Sequence, residues 1–122
     1  MIERDDRQFL LTTAWLFAKH GQAARARILC EALVEADPRD GVAAVALAEL
    51  LLSERDPSRA LAVVRAAVCS GELVRAAAVL ETRSLLALGR KADAARRWQR
   101  YIESSKGRSR TWVSPVGKGG RA

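Results

Sequence analysis

The sequence predicts an all-α protein built from three helical hairpins. Ala26, Ala60 and Ala94 are each 34 residues apart, and the residues around them recur with the same period. Gly21 and Gly89, which suit helix ends, lie two such periods apart. No run of Val, Ile or Thr alternates with the period of two that strands show. An apolar fraction of 49% with only 5% aromatic residues is typical of closely packed helices.

A 34-residue period is the signature of the tetratricopeptide repeat (TPR), a helix–turn–helix unit. Close approach of two antiparallel helices requires small residues, and bulky residues fill the space on either side. We therefore predict three TPR-like helical hairpins that form a short right-handed α-solenoid, with repeats at about 7–40, 41–74 and 75–106. Positions are counted from the first residue of each repeat. Position 8 is small (Ala14, Ala48, Thr82), position 11 is bulky (Phe17, Leu51, Leu85), position 15 is the turn (Gly21, Arg55, Gly89) and position 20 is alanine (Ala26, Ala60, Ala94). The last two recurring positions are 24 (Cys30, Val64, Trp98) and 27 (Leu33, Ala67, Tyr101).

Caps and turns predict where each helix begins and ends. Asp40 and Asp56 are candidate N-caps, and Pro57 suits the first turn of the helix that follows Asp56. The turn of the middle repeat is the weakest match, because Asp56-Pro57 stands there without a glycine. Gly71 marks the end of that repeat. The predicted helices span 6–20, 22–36, 41–53, 57–70, 73–88 and 91–105.

The net charge of +7 is unevenly distributed along the chain. Residues 1–103 carry 16 Lys and Arg against 14 Asp and Glu, whereas residues 104–122 carry five basic residues and no acid. We therefore predict a folded domain at 1–105, followed by a basic, Gly/Ser-rich, disordered C-terminal tail at 106–122. The tail contains Trp112 and Val113, which would suit a small docking spot.

The N-terminus, the apolar stretches and the polar residues indicate where the protein is located and whether it binds a metal or catalyses a reaction. The N-terminus lacks the basic start and cleavage site of a signal peptide, and no apolar stretch reaches the roughly 20 residues of a membrane span. We expect a soluble, cytoplasmic protein with free, reduced Cys30 and Cys69. One histidine (His20) and two distant cysteines offer no metal site, and we expect no cofactor. No catalytic motif is present, so we expect no enzymatic activity.

The concave face of a TPR array is lined by first-helix positions 2, 5, 9, 12 and 13. Here its centre is apolar, Trp15 is the largest candidate anchor, and the chain contains no asparagine with which to clamp a peptide carboxylate. We expect this groove to hold an amphipathic helix or an extended apolar segment. The alternative for Leu11 and Val45 is internal burial in a tightly curled array. The predicted groove residues are Gln8, Leu11, Trp15, Lys19, Val42, Val45, Glu49, Leu52, Val79, Arg83 and Leu86.

The first repeat and the last helix resemble a specific family, the small TPR chaperones of bacterial type III secretion systems known as the SctY (YscY) family. The basic tail after Lys106 is not part of the family's pattern. The residues that carry the resemblance are Gln8-Phe9-Leu10-Leu11, Trp15-Leu16, Gly21, Arg25-Ala26, Leu29, Ala32-Leu33 and Pro38, then Gly89, Ala94-Ala95-Arg96, Tyr101 and Glu103.

The resemblance implies a non-enzymatic role in the bacterial cytoplasm. Such chaperones bind the small secreted protein SctX, and the pair engages the cytosolic domain of the export gate, SctV, at the inner membrane. We expect the groove to mask an apolar client segment, and the client-free chain to self-associate, because the last repeat has no capping helix.

Three other functions remain open at this point. The chain would equally suit a chaperone of the needle subunit or of the translocators, which use the same TPR architecture. A generic TPR scaffold for protein–protein interaction in an unrelated complex is the second alternative. The third is nucleic-acid binding through the tail and the Arg90, Lys91, Arg96, Arg97 and Arg100 run, although the near-neutral folded part argues against a nucleic-acid partner.

Overall fold

The computed structural model describes residues 3–112, with side chains described for residues 3–106. All six elements in this part of the chain are α-helices, which confirms the all-α prediction. All six begin within two residues of the predicted starts, and all but α4 and α6 end within one residue of the predicted ends. The helices are α1 (Arg4–Lys19), α2 (Ala23–Ala36), α3 (Gly41–Ser53), α4 (Pro57–Ala66), α5 (Leu73–Ala87) and α6 (Lys91–Trp112).

The helices pack as three successive pairs, α1 with α2, α3 with α4 and α5 with α6. Consecutive pairs are joined by α2 against α3 and α4 against α5, and α3 also packs on α5. The three alanines in 34-residue register, Ala26, Ala60 and Ala94, are each no more than 1% exposed. Leu51 and Leu85 at position 11 are equally buried. These five positions therefore lie in the core.

The turns inside the three pairs share one geometry. Gly21, Arg55 and Gly89 all adopt positive φ angles, of 77°, 64° and 79°. In each turn the backbone N–H of the next residue donates to a carbonyl of the preceding helix, with N–O distances of 2.8–2.9 Å. This is the hydrogen-bonded left-handed helix end that normally favours glycine. The middle turn thus has the same conformation as the others although arginine occupies it.

The loop before α3 passes very close to the end of α4. The Val68 N–H donates to the Arg39 carbonyl (3.1 Å), and a Cβ on Gly41 would lie 2.7 Å from the Val68 carbonyl oxygen. Gly41 therefore permits this approach. The contact also explains a correction: α4 ends at Ala66, whereas the sequence predicted a helix to residue 70, because residues 67 and 68 are drawn into extended backbone.

Helix α6 differs from its prediction at the other end. It continues to Trp112, past residue 105 where the predicted helix ends. One glycine inside a helix costs only about 1 kcal/mol, so Gly107 need not end it. The first part of the predicted tail is thus helical backbone. The remaining predicted tail, 113–122 with Val113, lies outside the described residues.

Within residues 3–112, no helix combines the length and apolarity needed to cross a lipid bilayer.

Candidate functional site: an apolar cleft between α1 and α3

An ion pair fixes the start of α1 against the start of α3. Arg7 donates from Nε and Nη2 to the two carboxylate oxygens of Asp40, at 2.6 and 2.9 Å. Asp40 also caps α3 by accepting from the Ala43 N–H (3.2 Å). The hydrogen bond from Arg7 outweighs desolvation and holds the pKa of Asp40 below its ordinary value. Asp40 therefore acts both as the predicted N-cap and as the anchor of α1.

Beyond this anchor, α1 and α3 separate. Helix α3 packs along α5, but α1 packs mainly on α2 and makes little contact with α3. The gap is a cavity of about 300 Å³, which we call the α1/α3 cleft. Glu49 is its one charged lining residue among those described. The cleft is lined by Leu11, Ala14, Trp15, Ala18, Cys30, Val42, Ala46, Glu49 and Leu50.

Trp15 is the most prominent side chain of the α1/α3 cleft. It is 59% exposed, and Val42 opposite is 43% exposed. The Lys19 ammonium lies 4.9 Å from the Trp15 ring centroid, so a cation–π contact covers part of the ring. Large apolar side chains left in water at a concave site are typical of surfaces that bind another molecule.

Cys30 forms part of the floor of the cleft and is 1% exposed. Burial, with a smaller contribution from the charge of Glu31, raises the pKa of the Cys30 thiol to about 11. The thiol is therefore protonated at neutral pH and acts as a small apolar surface. Burial also raises the pKa of Cys69, and both thiols are free.

Two further cavities continue the line of the cleft. One of about 310 Å³ lies at its α1 end and shares Leu11, Trp15 and Val42, adding Gln8. The other, about 300 Å³ between α3 and α5, shares Glu49. The first helices of all three pairs thus border one row of cavities. The α3/α5 cavity is lined by Val45, Glu49, Glu72, Arg75, Ala76, Val79 and Leu80.

Charged groups interrupt this row at its centre. Glu49 accepts from Arg83 at 3.2 Å, and the two occupy the same repeat position, 34 residues apart. Their side chains are 58% and 49% exposed, so the pair contributes little to stability. Its effect is to separate the apolar α1/α3 cleft from the more polar α3/α5 cavity.

The structure brings seven of the eleven predicted groove residues to these cavities, whereas Lys19, Leu52, Arg83 and Leu86 do not line them. Leu52 packs against the core cluster, and Leu86 is 52% exposed on α5; neither lines a cavity described above. The register did not single out Ala46 and Leu50, which take the place of Leu52 in the cleft.

His20 is the C-cap residue of α1, as its place before Gly21 predicts. In residues 3–112 no three His, Cys, Asp or Glu side chains come close enough to hold a metal ion.

Comparison of the chain with protein-family models, with curated proteins and with solved structures gives no match.

Proposed function

We propose that this chain is a non-enzymatic, TPR-like chaperone that holds an apolar segment of another protein in the α1/α3 cleft. The observation that carries the proposal is the exposed Trp15 in an almost wholly apolar concave lining. The finer architecture, a short right-handed solenoid of three TPR-like hairpins, is part of the proposal. It is supported by three left-handed turns and three buried alanines, each in 34-residue register.

The sequence resemblance to the SctY family suggests the partner. In that proposal the client is a small SctX-like secreted protein, and the pair engages an SctV-like export gate from the bacterial cytoplasm. A client segment that would aggregate in water is covered by the cleft until export. The cleft needs no catalytic group for this, since the work is done by binding alone.

Burial of Trp15 sets the scale of the interaction. An aromatic side chain can bury about 150–250 Å², and 59% of a large ring is still exposed here. At about 25 cal/mol per Å², covering that remainder corresponds to about 2–4 kcal/mol before the costs of association. Trp15 therefore has the size expected of an interface hot spot.

The test is the affinity of the purified chain for an SctX-like protein, measured by isothermal titration calorimetry. Trp15→Ala is expected to weaken binding by about 2 kcal/mol, roughly thirtyfold. The matched control is Phe9→Ala, because Phe9 is also an exposed aromatic on α1 (68%) but does not line the cleft. Phe9→Ala is expected to leave the affinity within about threefold.

The measurement also separates the competing clients. Tight binding of a needle subunit or a translocator, with no binding of the SctX-like protein, would keep the cleft and replace the client. Equal affinities of the Trp15→Ala variant and the parent chain, with both folded, would remove the cleft as the site.

A further inference from the structure

A cavity that differs in chemistry from the α1/α3 cleft lies along the last two helix pairs. Its volume is about 400 Å³, and it shares no lining residue with the α1/α3 cleft. Arginine dominates its walls, and Leu85, 1% exposed, contributes apolar surface. We call it the arginine cleft. Its lining residues are Arg65, Leu85, Arg90, Asp93, Arg96, Arg97, Gln99, Arg100 and Glu103.

Carboxylates hold four of the five arginines in place. Glu81, on α5, accepts from Arg65 Nε on α4 (2.8 Å) and from Arg97 Nε on α6 (2.7 Å). Burial alone would raise the pKa of Glu81, but the hydrogen bonds from Arg97 and Arg65 outweigh it, so the pKa is lowered and the carboxylate stays charged. The three helices are thus joined by one charged bridge.

Asp93 makes the corresponding contacts at the start of α6. It accepts from Arg90 Nε at 2.9 Å and from Arg96. Each guanidinium has five N–H donors, so these contacts leave further donors on Arg65, Arg90 and Arg97. Arg100, also on the wall, is exposed. The result is a fixed array of guanidinium groups with hydrogen-bonding capacity remaining for an anion.

We propose that the arginine cleft binds an acidic segment of a partner protein, through Asp or Glu carboxylates. The guanidinium fork matches a carboxylate with two parallel hydrogen bonds. Preorganisation by Glu81 and Asp93 lowers the conformational entropy that ordering long side chains would otherwise cost.

A peptide suits this lining better than a nucleic acid. The described lining of the arginine cleft contains no aromatic side chain on which a base could stack, and the nearby Trp98 and Tyr101 on α6 are half-buried and pack on each other with ring centroids 5.2 Å apart. A phosphodiester backbone has no N–H group to donate to Asp93 and Glu103 on the wall. The same two carboxylates can accept hydrogen bonds from the N–H groups of a peptide.

The test is fluorescence anisotropy of a labelled peptide of eight glutamates titrated with the full-length chain at low salt. Arg96→Ala/Arg100→Ala is expected to weaken binding about tenfold, because it removes two exposed guanidinium groups that would pair with peptide carboxylates. The matched control, Arg4→Ala/Arg39→Ala, removes the same charge from exposed positions outside the cleft. It is expected to change the affinity by less than about threefold.

Several outcomes would overturn the proposal. One is an absence of saturable peptide binding by the parent chain, and another is equal weakening by the two double variants, which would indicate net charge or the basic C-terminal residues. A third is tighter binding of an oligothymidylate of the same length. The result is independent of the chaperone proposal, because Trp15→Ala should leave glutamate-peptide binding unchanged.

Discussion

Replacing Arg55 with glycine is expected to stabilise the fold. Arg55 has a φ angle of 64°, at the turn position where the other two helix pairs have glycine. A non-glycine residue in the left-handed conformation costs about 1–2 kcal/mol. Glycine removes that strain but adds about 0.5–1 kcal/mol of unfolded-state entropy. The expected net gain is about 0.5–1 kcal/mol, which corresponds to a rise in Tm of about 2–8 °C.

Thermal unfolding followed by far-ultraviolet circular dichroism measures this gain. Arg55→Ala is the matched control, because it removes the same side chain but keeps the Cβ that causes the strain. It is expected to change Tm little, whereas Gly21→Ala and Gly89→Ala are expected to lower it. A lower Tm for Arg55→Gly than for Arg55→Ala would refute the shared left-handed turn.

Three further outcomes are expected. Ala60→Leu should destabilise the fold by about 1–3 kcal/mol in urea unfolding, because Ala60 is fully buried at a helix contact; unchanged stability would contradict the 34-residue register. Since the pKa of Asp40 is lowered in the fold, its ion pair with Arg7 should stabilise fully above about pH 4 and be lost as the pH falls through the folded value. Between pH 6 and pH 3 the free energy of unfolding should fall less for Asp40→Asn than for the parent chain. An equal fall in both would exclude the ion pair as the cause of the parent's loss of stability. Cys30 should react with Ellman's reagent far more slowly than the half-buried Cys69, since its pKa is about 11 and it is 1% exposed; equal rates would show that the floor of the cleft opens readily.

The starts of helices α3 and α4 could be predicted from capping residues and a proline, which are local features of the sequence. Asp40 and Asp56 each accept from the N–H three residues on, as predicted for N-caps, and Pro57 occupies the first turn of α4. The turn at Arg55 was harder to predict, because arginine has no preference for positive φ. There the packing of α3 on α4 imposes the conformation against the residue's local preference.

Features that depend on contacts between distant segments were not available from the sequence. The early end of α4 depends on the Val68 N–H reaching the Arg39 carbonyl, a contact between residues far apart in the chain. The α1/α3 cleft likewise depends on the divergence of two helices, which periodicity does not report. Sequence therefore predicted that Trp15 lies on a concave face but not that Cys30 forms its floor.

The arginine cleft likewise combines a feature that the sequence shows with contacts that only the fold brings together. The basic run from Arg90 to Arg100 is visible in the sequence, where its charge suggested nucleic-acid binding as one alternative. Its partners Glu81 and Arg65 come from α5 and α4. Only the packing of the three helices shows that these arginines border one cavity.

The most direct test of the cleft as a client site is the fluorescence of Trp15 itself. In a Trp98→Phe/Trp112→Phe variant, Trp15 is the remaining tryptophan, and its ring is 59% exposed. Titration with an SctX-like protein is expected to shift its emission to shorter wavelength and to saturate with the affinity that calorimetry gives. Saturable binding with an unchanged Trp15 emission would place the client elsewhere and contradict the account.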